Sequence, residues 1–228
     1  MRFHGAIAVA AVLLIGAAAP AARGQSGLSE RQELAEGRSA ARRIEARYHV
    51  VAGTSQARQV EQIGRRIAAV SGRPRLPWSF HVLDEKSANA FALPGRVYIF
   101  TGMLKMVEGD TDALAGVIAH EVAHTAARHT RKQMEKGAFL GLIRYLLYGQ
   151  DEEYEADRLA VRYLRQTGYD PNGMIRLFRK FRRQEGKQRD HAGWFSSHPG
   201  ALDRIVHIRR WMGRPLGGDP LSGDPPAD

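Results

Sequence analysis

Residues 28–50 (LSERQELAEGRSAARRIEARYHV) and 54–70 carry apolar side chains at helical spacing, and Thr54-Ser55 offers the second segment a cap. Both helices are expected to wrap a larger body. Pro77–Leu83 alternates instead, with Trp78, Phe80 and Val82 on one side, which predicts a strand. Phe91–Leu93 and Arg96–Thr101 flank the turn pair Pro94-Gly95 and read as a β-hairpin. Asp110-Thr111-Asp112 then caps a run of apolar residues from Ala113 to Ile118, the start of a buried helix. Further helices are predicted near 132–148, from Glu153 onward, at about 171–184 and near 201–211, the last after the loop Ser197-His198-Pro199. Residues 213–228 are Gly, Pro and Asp with few apolar groups and are expected to form a disordered tail. The fold class predicted is α+β, mostly helical with a small antiparallel sheet. No internal repeat is visible.

Composition refines the organisation. Met1–Gly24 has a short basic start (Arg2, His4), an apolar stretch from Ala6 to Ala19 and small residues after it, the pattern of a secretory signal. Cleavage is expected after Ala22 or Gly24, with an uncleaved membrane anchor as the alternative. Residues 25–212 suit one domain around one core. Export to the periplasm is the expected destination. There is no cysteine, which excludes disulfides, a lipidated N-terminal cysteine and a Cys-based zinc ribbon. The formal charge is +10, much of it in Arg176–Arg183 and Arg204–Arg210. A solvated basic face is the first reading and affinity for a membrane surface the second. No nucleic-acid motif accompanies the charge, so a nucleic-acid partner is not expected.

The chemistry centres on His120-Glu121-Val122-Ala123-His124 (HEVAH). Histidines four apart on a helix lie about 40° apart around the axis and ~6 Å along it, so both can reach one metal ion. Glu121 sits about 100° round from His120, where it can take a proton from water on the metal without ligating it. Two satisfied histidines on a half-buried face are the plain alternative. Small residues at Ala113, Gly116, Ala123 and Ala127 share the histidine stripe and would let a second helix come close.

The third ligand sets the metal class. A Gly three residues and a His six residues after His124 would give one zinc-protease pattern, but Ala127 and Thr130 stand there. His129 lies about 140° round from His124 if the helix continues, and reads as a packing or surface residue. The segment Glu153-Tyr154-Glu155-Ala156-Asp157 offers Glu153 and Asp157 on one stripe with Ala156, Ala160 and Leu164. Inward carboxylates among small residues need partners. Glu153 is the expected third ligand, and Asp157 the acceptor for a ligating imidazole N–H. Glu152 and Glu155 read as a solvated acidic turn.

With these residues in place, the chain resembles the HtpX and CAAX-prenyl-protease family of zinc endopeptidases, in its soluble exported branch. The matching segments are AFALPGRVYIFTGML at 90–104, LAGVIAHEVAHTAARH at 114–129, EYEADRLAVRYL at 153–164, GYDPNGM at 168–174 and SHPGALDRI at 197–205. The resemblance implies a zincin-like domain with one Zn2+ on His120, His124 and Glu153, Glu121 as general base, and Asp157 behind the metal site. It also favours Val97–Phe100 as an exposed edge strand that flanks the zinc and pairs with polypeptide substrate, where an ordinary sheet strand is the alternative. His198 would come over the metal, either as a donor to the reaction's oxyanion or as a resting cap. The first role predicts that its removal lowers turnover, and that outcome is the expectation. Arg204 could hold this loop or a substrate carbonyl, with a helix-surface arginine equally compatible. Residues 125–152 are shorter than the hydrophobic hairpin of many relatives, and Phe139–Tyr148 is too short and interrupted to span a bilayer. The activity expected is endopeptidase cleavage of misfolded or unassembled envelope proteins. A chaperone without proteolysis and a zinc amidase acting on the cell wall are the alternatives.

Overall fold

The computed structural model describes residues 28–135, 148–185, 194 and 198–213. The expected signal at 1–24, the tail beyond residue 213 and most of the helix predicted near 132–148 lie outside these residues. Among them no helix is long and apolar enough to cross a membrane.

The order is α1 (Glu30–Arg47), β1 (Val50–Val51), α2 (Ser55–Ala69), β2 (Ser79–Leu83), β3 (Ala90–Leu93), β4 (Arg96–Phe100), α3 (Thr101–Met106), α4 (Thr111–Ala126), α5 (His129–Glu135), α6 (Gln150–Thr167), α7 (Asn172–Glu185) and α8 (Ala201–Met212). The local signals act as their chemistry requires. Ser29 and Gln32 form a reciprocal capping box on α1, and the Thr54 hydroxyl caps α2. The Asp110 carboxylate accepts the Ala113 N–H at the start of α4. Gly95 turns the β3–β4 hairpin with φ +75°, a conformation that side chains rarely adopt.

The sheet departs from the prediction. Its order is β1-β2-β4-β3, with β2 parallel to β4 and the other pairs antiparallel. It is therefore mixed. The hairpin places β3 outermost and returns β4 against β2, so Val97–Phe100 lies inside the sheet, fully paired and buried. The expected exposed edge strand is not β4. Main-chain pairing to two neighbours removes the free N–H and C=O row that an edge role needs.

α4 is the centre of the molecule, buried from Ala113 to Thr125. Its neighbours are α6, α7, α2 and β3. The stripe Val60, Ile63, Gly64, Ile67 and Ala68 of α2 is buried in the core, so α2 does more than wrap it. α7 packs closely on Gly116: a Cβ there would lie 2.7 Å from Met174 Cγ. The approach at that position is made by α7 and not by the carboxylate-bearing helix. α6 presents Glu153, Ala156, Asp157, Ala160 and Leu164 as one buried stripe, at the predicted helical spacing.

Candidate metal centre

The last turns of α4, the first turns of α6 and the loop before α8 bring His120, His124, Glu153 and His198 together, all buried. His120 Nε2 lies 2.9 Å from His124 Nε2, 3.3 Å from Glu153 Oε2 and 3.2 Å from His198 Nδ1. Glu153 Oε1 is 3.5 Å from His124 Nε2 and 2.8 Å from His198 Nδ1. Nitrogen and oxygen ligands of a tetrahedral zinc, each about 2.0–2.1 Å from the ion, stand roughly 3.3 Å apart. The four groups thus converge at the separation such an ion requires, and neutral imidazole and carboxylate are its usual donors.

The charges point the same way. Glu121, Glu153 and Asp157 are all fully buried, and Arg204 is the buried guanidinium among them. Arg204 Nε and Nη2 donate to the two Asp157 oxygens at 2.7 Å each, and Nη1 lies 2.8 Å from Glu153 Oε2. Burial alone would raise the pKa of Asp157, but Arg204 outweighs it and lowers the value. Burial would also raise that of Glu153, whereas His198 and Arg204 hold it well below the usual range. Three buried carboxyl groups against one guanidinium leave room for a divalent cation. Burial and Arg204 oppose charge on His120, yet hydrogen bonds with Asp157 and Glu153 raise its pKa to about 9. Burial and then His120 push that of His124 well down. A cation at the centre displaces any such proton, because a ligating imidazole is neutral.

Both histidines of the HEVAH pair are backed from outside. His120 Nδ1 is 2.9 Å from Asp157 Oδ1, the arrangement expected from the sequence. His124 Nδ1 is 3.1 Å from His129 Nδ1, and His129 Nε2 is 3.0 Å from Glu155 Oε2. His129 is therefore buried beside the centre, and Glu155 is its hydrogen-bond partner instead of a free acidic turn. His129 does not lie 140° round from His124, because the helix does not continue. α4 ends at Ala126, Arg128 adopts φ +64°, and α5 starts anew at His129. Burial lowers the pKa of His129 despite Glu155. Glu152 caps the first turn of α6, near the role assigned to it.

Two residues near the general-base candidate were not singled out from sequence. The Trp194 indole N–H donates to Glu121 Oε1 at 2.9 Å, and its backbone N–H donates to the Ala88 carbonyl just before β3. Glu121 Oε2 is buried and has no hydrogen-bond partner among the described residues. Tyr148 stacks on His124 with ring centroids 3.8 Å apart. Neither residue carries a spacing signal, since each reaches the site from a distant part of the chain. Arg204, compatible with a helix surface from sequence, is fully buried between the Phe178 and Trp194 rings, and its Nη1 donates to the His198 carbonyl at 3.1 Å.

The profile of peptidase family M48 matches residues 54–151 and 137–212, which together hold every residue of this centre. The chain belongs to peptidase family M48. The family is one of peptidases, and the relatives matched are proteases by name. It is 31% identical over 176 residues to the mitochondrial metalloendopeptidase OMA1 of Schizosaccharomyces pombe, across 67% of this chain and 52% of the relative. It is 25% identical over 218 residues to the beta-barrel assembly-enhancing protease of Yersinia pestis, across 80% of this chain and 44% of the relative. With the metalloprotease LoiP of Escherichia coli it shares 28% over 164 residues, 60% of this chain and 63% of that one. The chain spans about half the length of the curated relatives it matches. These matches carry the M48 family as a whole and do not single out its HtpX and CAAX-prenyl-protease members.

Proposed function

We propose that the protein is a zinc-dependent endopeptidase that cleaves misfolded or unassembled proteins of the cell envelope. One observation carries the reading: four ligating atoms converge at metal-binding separations beside a carboxylate, Glu121, that has one oxygen held and one oxygen without a partner among the described residues. His120, His124 and Glu153 would hold the ion. A divalent cation bound there would supply Lewis-acid polarisation of the scissile carbonyl and would acidify the attacking water. Trp194 holds Glu121 Oε1, which leaves Oε2 to take the proton from that water and pass it to the leaving amine. Asp157, clamped by Arg204, keeps the His120 ring turned with Nε2 inward.

His198 would fill the position that a catalytic site of three protein ligands leaves open, since it lies with His120, His124 and Glu153 in one buried cluster. With Nδ1 among the ligating atoms and Nε2 3.5 Å from Glu121 Oε1, it acts as a resting cap that substrate must displace. This geometry favours the cap over the oxyanion donor. Substrate pairing by main chain falls to β3, the outermost strand beside α4, where the Thr125 hydroxyl donates to the Leu93 carbonyl. Its residues are buried in this structure, so pairing requires that edge to be uncovered. The envelope as the place of action rests on the signal-like N-terminus and on the exported branch that the sequence segments resemble; affinity for a membrane surface is part of the same reading.

The test is casein cleavage by the purified chain. Glu121→Gln is expected to keep Zn2+ and fold and to lose at least about a hundredfold in turnover. A chelator should abolish cleavage and added Zn2+ restore it. Cleavage by Glu121→Gln at the wild-type rate overturns the proposal.

A further inference from the structure

The ligand His124 has its own support, which the HEVAH spacing does not contain. His124 Nε2 faces the centre, 2.9 Å from His120 Nε2, and a neutral imidazole that ligates a cation through Nε2 carries its proton on Nδ1. That Nδ1 meets His129 Nδ1 at 3.1 Å, and the opposite nitrogen of His129 meets Glu155 Oε2 at 3.0 Å. With one proton on each ring, a single direction is consistent. His124 Nδ1–H donates to His129 Nδ1, and His129 Nε2–H donates to the Glu155 carboxylate.

The backbone is arranged for this contact. Arg128, a residue with a side chain, sits at φ +64°, a left-handed conformation that is uncommon outside Gly and Asn. Its effect is to stop α4 and start α5 so that His129 turns back onto His124. His129 is fully buried, while the Glu155 side chain is 36% exposed, so the line of hydrogen bonds runs from the centre to the surface of α6. We propose that His129 and Glu155 are positioning residues for the metal ligand His124: His129 fixes its tautomer and ring plane, and Glu155 fixes those of His129. The proposal rests on the metal-centre reading above, and extends the support of the site from one ligating histidine to both.

The experiment is competition for Zn2+ against a chelator, using the full chain, with folding of each variant checked by circular dichroism. Loss of an outer hydrogen-bond partner typically weakens metal binding about 10–100-fold, and His129→Leu should fall in that range. His129→Asn can place an amide oxygen where Nδ1 stands, and should stay within roughly threefold of wild type. Glu155→Ala, which leaves water able to accept from His129, should weaken binding only about two- to tenfold. Folded His129→Leu that binds Zn2+ like wild type overturns the proposal, as does equal loss in the Leu and Asn variants, which would mark a packing role. Ring-nitrogen NMR of the Zn2+-loaded wild type gives an answer even where His129→Leu does not fold: a proton on His124 Nδ1 supports the proposal, and an unprotonated Nδ1 overturns it. Wild-type protein that binds no Zn2+ overturns the metal-centre reading itself, a result distinct from failure of the relay.

Discussion

The two histidines of one helix are held by two differently built supports. Behind His120 stand Asp157 and Arg204, both wholly buried, with the carboxylate clamped by two hydrogen bonds of 2.7 Å. Behind His124 stand a neutral ring, His129, and a carboxylate, Glu155, that remains partly in water. The difference follows from depth. A carboxylate buried beside the ligands needs a counter-cation of its own, because desolvating it unpaired is costly. The Glu155 carboxylate at the surface is satisfied largely by water, with Arg158 3.9 Å away as a loose ion pair, and a neutral ring spans the distance inward. The buried support also reaches further, since Arg204 touches Glu153 and the His198 carbonyl and so joins the ligand helix to the loop over the site.

The largest effect should come from breaking the buried support. Asp157→Ala leaves Arg204 buried without its main partner and is expected to cost about 3–5 kcal/mol of stability. Glu155→Ala, at a partly exposed pair, should cost less than about 1 kcal/mol. Urea unfolding of both variants measures the contrast, and equal losses would erase it. Next in size is metal content. Glu153→Ala should sharply reduce the Zn2+ that copurifies, while Glu155→Ala, though weakened in affinity, should still fill at saturating metal; atomic absorption of both variants decides. His198→Ala sharpens the buried side, where the cap is tied to Arg204. Removing a cap that holds part of the population closed should raise casein turnover about two- to tenfold. A fall in turnover would return His198 to the oxyanion role, and a rate within about twofold of wild type would leave it neither role.

The smallest effect lies outside the centre, and sets the scale for exposed charge. Arg176 pairs with Asp110 at 2.8 Å and with Asp170 at 3.2 Å on a solvent-facing side of α7. The hydrogen bond from Arg176 lowers the pKa of Asp110; for Asp170, burial would raise it, but bonds from Asn172 and Arg176 lower it. Carboxylates with depressed folded pKa values stabilise the fold above their unfolded pKa, and that contribution is lost as pH falls through the folded values. Arg176→Gln should therefore destabilise by less than about 1 kcal/mol at pH 7 and by progressively less below about pH 4. Thermal melts of variant and wild type at both pH values check the sign.

How far each part could be read from sequence follows the range of the interaction that makes it. Glu153 and Asp157 were legible because four residues on a helix return to the same face, and the helix formed as predicted. His129 was misread for the same reason: the helical angle was extended across Arg128, where the helix stops. Glu155 followed it, since its partner was placed on the wrong side. The hairpin at Pro94-Gly95 was legible from its turn residues, but the neighbour that β4 takes on its other side was not.

The amino-acid sequence by itself determined most of the helices within the described residues and the hairpin, the pairing of His120 with His124, the outward step to Glu121 and the stripe of Glu153 and Asp157. Each of these depends on a repeat angle or a turn conformation that acts within a few residues. Tertiary structure alone decided the mixed sheet order with β3 outermost, the indole of Trp194 on Glu121, the burial of Arg204 between two rings, and the turn that sends His129 back to His124. Those contacts join residues far apart in the chain or on either side of a helix break. Their geometry comes from how whole elements pack, and no local periodicity transmits it.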